Sequence, residues 1–422
     1  MKIKTKSLNY DRVSKIEKPK VKKPKKPWLI MEFLVRVLSI FDLKKVNFSY
    51  TFKDGFKFTK EPYLILMNHS SFIDLKIASK ILFPKRYSIV CTTDGLVGKK
   101  WLMQKIGCMP TQKFVRDISL IKDMEYALNH NKVSVLMYPE AGYSFDGTST
   151  ALPQNLSRLV KLFNVPVVMI KTDGAFLHDP LYNGLQLRKV KVTAEVSQLI
   201  SKVETQTLEP SVINKRIEDA FTFDAFKSQK ENKVSITEDF RADGLERILY
   251  KCPACKCEGQ MLGKGINLTC KNCGVIYNFT EYGELEKVDG ETEFSHIPDY
   301  YNWERECVKK EILNGEYNLI AKVKIGVLKD YKALYMIGDG TLTHNENGFT
   351  LTSDDGLLNY TQAPLHSYSL NSDYFWYEIG DVISIGDKKE LYYCFPDKSV
   401  SVTKARLATE ELYKIKQQEL SK

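Results

Sequence analysis

Leu64-Ile65-Leu66-Met67-Asn68-His69-Ser70-Ser71-Phe72-Ile73-Asp74 runs off an apolar strand and into a helix. The apolar run reads as a buried strand, and Ser71-x-x-Asp74 ahead of further apolar residues is a helix N-terminal capping pattern. His69 and Asp74 are five residues apart. On one continuous helix that spacing would set them about 140° apart, off a common face. They meet only if His69 lies in the strand-to-helix turn and Asp74 in the first helical turn. A histidine held by a carboxylate is a general base suited to taking a proton from an alcohol near neutral pH. Capping alone also accounts for Ser71 and Asp74, so this stretch by itself leaves both readings open.

Outward from it, strand-like runs fall at Asn47–Phe52, Tyr63–Met67, Tyr87–Thr92, Val133–Tyr138, Val165–Lys171 and Val190–Val196. Helical patterns sit between them at 72–82, 117–129 and 154–163, and Pro210 opens one more, to Phe221. Such alternation predicts an α/β fold with a parallel or mixed sheet. Met137-Tyr138-Pro139-Glu140-Ala141-Gly142-Tyr143-Ser144 again puts a carboxylate just past the C-terminal end of a strand. In open α/β sheets that edge is where ligands bind. Taken alone, Pro-Glu after a strand is more often a plain turn.

Together these residues resemble the lysophospholipid and glycerolphosphate acyltransferase family. Asn68 to Asp74 matches its N-H-x-S-x-x-D block. Gly107-Cys108-Met109-Pro110-Thr111-Gln112-Lys113 is similar to its second block, Tyr138 to Ser144 to its F-P-E-G-T-R-S block, and Asn164-Val165-Pro166-Val167-Val168 to its fourth. The resemblance implies a glycerolphosphate-acyltransferase-like domain over 45–232, with His69 as the base on the acceptor hydroxyl and Asp74 orienting it. It implies substrate contacts from Asn68, Ser71, Lys113 with Arg116 as its nearest substitute, Glu140 and Gly142. The implied reaction moves a fatty acyl group from a thioester of coenzyme A or acyl carrier protein to a lysophospholipid hydroxyl. Two positions depart from the pattern. Tyr143 stands where the family carries Arg, and Gln112-Lys113 where an acidic–Arg pair is common. Both bear on the acceptor more than on the reaction type.

Cys252-Pro253-Ala254-Cys255 and Cys270-Lys271-Asn272-Cys273 form C-x₂-C-x₁₄-C-x₂-C. Four thiolates at this spacing can close on Zn²⁺, so residues 250–280 read as a ribbon with structural zinc on Cys252, Cys255, Cys270 and Cys273. Iron or disulfides are the alternatives, the latter disfavoured by a reducing compartment. Cys257 is a spare thiol that could compete for one ligand place, whereas Cys91, Cys108, Cys307, Cys394 and the histidines other than His69 read as ordinary structural residues. Residues 233–249 read as a linker or helix and 281–316 as a connecting segment. Residues 317–422 read as a β-rich region with a closing helix, compatible with a pleckstrin-homology-like barrel.

The chain of 422 residues is 43% hydrophobic and 27% charged, which excludes wholesale disorder. Its net charge is +10, of which residues 1–27 carry +9. The near-neutral remainder argues against a broad nucleic-acid-binding face. Residues 1–27, rich in Lys and Pro, are expected to be a disordered basic tail. Residues 28–44 follow as an amphipathic helix, apolar except for Glu32, Arg36 and Ser39 up to Phe41. That helix is too short to cross a bilayer alone and suits its interface. These features predict a peripheral, monotopic protein on the cytoplasmic face of the membrane, meeting anionic lipids. The rival expectation is a catalytically inactive lipid-binding scaffold that recruits partners through the zinc ribbon and β region. Tyr143 is the feature in its favour.

Overall fold

The computed structural model describes residues 2–19, 23–115 and 117–421. Along the chain β1 (Thr5–Ser7) and α1 (Tyr10–Ser14) come first, then α2 (Leu29–Lys45). An α/β part follows: β2 (Ser49–Phe52), β3 (Leu64–Met67), α3 (Asp74–Leu82), β4 (Tyr87–Thr92), α4 (Lys100–Lys105), β5 (Cys108–Thr111), α5 (Ile118–Glu125) and β6 (Ser134–Met137). It continues with α6 (Leu156–Phe163), β7 (Val167–Asp173), α7 (Ala175–His178), β8 (Thr193–Ile200), α8 (Glu204–Thr207), α9 (Pro210–Phe221) and α10 (Ala225–Glu231). The strands form a mixed sheet in the order β2-β8-β7-β3-β6-β4-β5, parallel except between β7 and β8. Apolar runs such as Leu64 to Met67 are buried at every position, as a sheet covered on both faces requires. β3 and β6 are neighbours near the centre, so the segments after them open at the same edge.

Next comes an antiparallel sheet of β9 (Met261–Lys264), β10 (Asn267–Cys270), β11 (Ile276–Phe279) and β12 (Leu285–Lys287), then α11 (Ile297–Leu313). The C-terminal region holds β13 (Leu319–Leu328), β14 (Leu334–Asn345), β15 (Gly348–Ser353), β16 (Asn359–Gln362), β17 (Asn371–Trp376), β18 (Gly380–Gly386) and β19 (Leu391–Pro396). Their order is β16-β15-β14-β13-β19-β18-β17, antiparallel throughout, and α12 (Val402–Leu420) closes the region with Val402, Thr403 and Ala405 to Leu412 buried.

Two expectations need correction. The tail is in part ordered: β1 pairs in parallel with Leu334–Met336, and Val13 of α1 is fully buried. β15 meets β14 only from Gly340 onward, so Leu334–Met336 would otherwise present an open strand edge, and β1 covers it. Residues 20–22 of the tail lie outside the described residues. Residues 233–249 are no free linker either. Ile236, Ala242, Leu245, Ile248 and Leu249 are buried in an apolar cluster that also takes Phe145 and Tyr182 from the α/β part, Tyr277 from the ribbon and Leu407 from α12. Gly244 sits there with φ +76°, where a Cβ would come within 2.1 Å of the Tyr182 carbonyl oxygen. Only glycine satisfies both demands.

α2 docks on the body through its polar side. Its Glu32 and Ser39 are buried against the body, while Ile30, Phe33, Leu38 and Phe41 are exposed, the last two at 73%. Glu32 Oε1 accepts the Tyr87 N–H at 3.2 Å and Arg36 lies over the Phe83 ring, 4.6 Å from its centroid. The polar stripe is the docking face and the apolar face points outward.

Candidate active site

The turn after β3 places His69, and α3 begins at Asp74. His69 Nδ1 lies 3.0 Å from Asp74 Oδ2. The same oxygen accepts the backbone N–H groups of Ser70 at 3.0 Å and Ser71 at 3.1 Å. Asp74 therefore serves both the helix start and the imidazole: the two readings of the sequence are one arrangement. Asp74 is 1% exposed, and its Oδ1 is buried without a hydrogen-bond partner among the described residues.

Glu140, after β6, fixes the same turn from the other side. Its Oε2 accepts the His69 N–H at 2.8 Å, and its Oε1 accepts the Thr150 N–H at 3.0 Å and hydroxyl at 3.3 Å. Burial raises its pKa to about 7, against the pull of those donors. Asn68 ties the turn to β7: its Oδ1 accepts the Thr172 N–H at 2.8 Å, and its Nδ2 donates to the Thr172 carbonyl at 3.1 Å. Ser71 Oγ accepts the Ile73 N–H at 3.2 Å. Asn68, Ser71 and Glu140 are each 1% exposed. Their polar atoms bond within the fold and shape the turn.

Both faces of the His69 imidazole are covered. Tyr138 stacks on one at 4.4 Å between centroids and Tyr143 lies at 3.9 Å, with Phe72 stacked on Tyr143 in turn at 5.0 Å. The His69 side chain keeps 18% of its surface exposed. Burial lowers its pKa below the ordinary histidine value, the Asp74 carboxylate opposes this, and the nearby Lys113 charge adds to the lowering. The imidazole is thus neutral near pH 7, the form that accepts a proton.

Lys113 follows β5, with its Nζ 5.9 Å from the centroid of the Tyr143 ring. Gly142 is buried beside Phe114, whose Cζ a Cβ would meet at 3.8 Å. The turn, Glu140, Gly142 and Lys113 thus come together, while Arg116 lies outside the described residues. Several further groups have no cue in the sequence. Thr150 and Thr172 buttress the turn. Tyr143 is visible in the sequence as a departure, but its stacking on His69 is not. Nor is its link to α12, where Arg406 Nη1 donates to the Tyr143 carbonyl at 3.2 Å across 263 positions of chain.

At the ribbon, the Sγ atoms of Cys252, Cys255, Cys270 and Cys273 all lie within 4.8 Å of one another. Cys252 to Cys273 and Cys255 to Cys270 are each 3.8 Å. A tetrahedron with metal–sulfur bonds of about 2.3 Å has edges of about 3.8 Å, so the donor set fits a metal ion.

The acyltransferase family model matches residues 46–171. No curated protein matches the chain. Among solved structures, the chain is similar to the 1-acyl-sn-glycerophosphate (LPA) acyltransferase PlsC from Thermotoga maritima, at 12% identity and a TM-score of 0.38 over 45% of this chain and 76% of that one. The matched residues contain β2 to β6, the turn and both carboxylates described above, so this stretch of the chain carries an acyltransferase domain.

Proposed function

We propose that the protein transfers a fatty acyl group from an acyl thioester to the hydroxyl of a lysophospholipid or glycerolphosphate at a membrane surface. The observation that carries this reading is the 3.0 Å contact between His69 Nδ1 and Asp74 Oδ2 at the central sheet edge. Asp74 fixes the tautomer with the proton on Nδ1, leaving Nε2 to take the acceptor's hydroxyl proton. The acceptor oxygen attacks the thioester carbonyl, and the carbon–sulfur bond breaks as the tetrahedral adduct collapses. The departing sulfur recovers the proton from the imidazolium. Lys113 supplies a cation for the acceptor's phosphate. Asn68, Ser71 and Glu140 hold the turn in place, and Gly142 keeps the neighbouring wall small.

The outward apolar face of α2 supports attachment to the cytoplasmic face of a membrane. No helix of the described residues is long and apolar enough to cross one. α2 has 17 residues, about 26 Å at roughly 1.5 Å per residue. Docked by Glu32 and Ser39, it would lie in the interface with its apolar side chains in lipid, beside the basic residues of the tail. The four cysteines would hold zinc in a closed, structural site. The strand order of residues 317–422 and the closing helix support a pleckstrin-homology-like reading of that region.

The test is thiol release from acyl-CoA on addition of a lysophospholipid in vesicles. His69→Ala should lower kcat by about 10²–10⁴-fold while the protein still folds. A variant with wild-type turnover would refute the base. A second reading, a lipid-binding scaffold without turnover, is favoured by the cover that Tyr143 places on His69. Vesicle binding with no thiol release on any acceptor would establish it.

A further inference from the structure

We infer that Arg406, on α12 of the C-terminal region, is a positioning residue for acyl transfer: it holds the Tyr143 segment, which in turn holds the His69 imidazole. The inference rests on the reading of His69 as the base. Arg406 is 5% exposed. Besides its bond to the Tyr143 carbonyl, its guanidinium lies over the ring of Phe145, 4.3 Å from the centroid. The guanidinium is itself fixed: Arg406 Nε lies 3.3 Å from Glu410 Oε1. Glu410 also takes Arg305 of α11 at 2.7 Å and the Ser369 hydroxyl at 2.7 Å. Charges buried in this way act as a rigid brace because each has its partner.

The brace reaches the chemistry in one further step. The Tyr143 ring lies at 3.9 Å from the imidazole, so a fixed Tyr143 backbone fixes one wall of the base. Tyr374 of β17 packs on Phe145 at 4.8 Å, and Tyr368 packs edge-on to Phe114, beside Lys113, at 5.4 Å. The C-terminal region thus grips both segments that flank the base. A loosened Tyr143 would admit water to the imidazole and let its ring turn, which misplaces Nε2.

The experiment uses the full chain with acyl-CoA and lysophosphatidic acid in vesicles, reading kcat, KM and the acid limb of the kcat–pH profile. Arg406→Gln should lower kcat by roughly 10- to 100-fold, as small misplacements of a catalytic group do, with KM within about two-fold. Its acid limb should move to higher pH, because hydration lets the His69 pKa rise. The other groups around the ring stay in place: Asp74 of α3, Lys113 after β5, and Tyr138 and Glu140 after β6, with Asp179 after α7 and Asp373 of β17 acting on Tyr143 beside it. Tyr143→Ala should move the limb in the same way, and Arg406→Gln added to it should move it no further. Arg406→Lys, which keeps the charge beside Glu410, should recover part of kcat. If Arg406→Gln does not fold, the comparison runs with Arg406→Lys alone and combined with Tyr143→Ala.

An Arg406 variant that folds with wild-type kcat and acid limb would overturn the inference. So would a limb shift that persists undiminished in the Tyr143→Ala background. If His69→Ala abolishes turnover while the Arg406 variants behave as wild type, only this inference fails. If His69→Ala turns over normally, the reading beneath it fails.

Discussion

Asp74 shows how one carboxylate oxygen can serve a helix and a base together. Three N–H donors converge on its Oδ2. The N-H-S-S-F-I-D order was legible in the sequence because it places those donors within five residues of their acceptor. The contacts of Tyr143 and Glu140 were not, since they arise between strand ends that only the sheet brings together. Ala141 carries a different signature. It is a non-glycine residue at φ +56°, in the left-handed region, at the tip of the segment between Glu140 and Gly142. That conformation costs an L-residue about 1 kcal/mol or more, which glycine avoids. Ala141→Gly should therefore raise the stability of the folded protein by about 0.5–1 kcal/mol in urea unfolding, the gain reduced by the greater freedom of glycine in the unfolded chain.

At the scale of elements, most of the α/β part follows from periodicity. The strand Tyr87–Thr92 and the helix Pro210–Phe221 stand where apolar runs and an N-terminal proline place them. α2 shows the limit of the method. Its polar stripe was legible, but the direction the stripe faces depends on Tyr87, whose N–H lies 55 positions away. The buried Glu32 has a measurable consequence. Burial raises its pKa to about 7, against the Tyr87 N–H and the Arg86 charge. The folded protein then holds a proton that the unfolded chain has released, so stability falls as pH rises from about 4.5 to about 7. Glu32→Gln keeps the acceptor for Tyr87 and removes the ionisation. Its stability relative to the wild type should grow between pH 5 and pH 8, by about 1 kcal/mol once screening by nearby water is allowed for. Equal pH dependence of the two proteins in thermal melts would show that Glu32 is not the source.

For the whole molecule, composition separated the regions but concealed how they join. The C-x₂-C pairs marked the ribbon, and turn-rich β patterns marked the C-terminal region. The apolar cluster that unites the α/β part, ribbon and closing helix draws on residues such as Phe145, Ile248, Tyr277 and Leu407, none of which is distinctive in sequence. Three modules sharing one core should unfold as one cooperative unit. Removing metal with a chelator, or Cys270→Ser, should therefore lower the single thermal transition of the whole chain and remove acyl transfer with it. Separate melting of the ribbon, with activity intact, would contradict that view.

The placement of β1 beside Leu334–Met336 also bears on how the protein is made. Thr5–Ser7 leaves the ribosome some three hundred residues ahead of its mate, so that pairing has to wait until Leu334–Met336 has been made. An affinity handle fused at the start of the chain would sit next to a seam that closes late, and refolding yield should be sensitive to it.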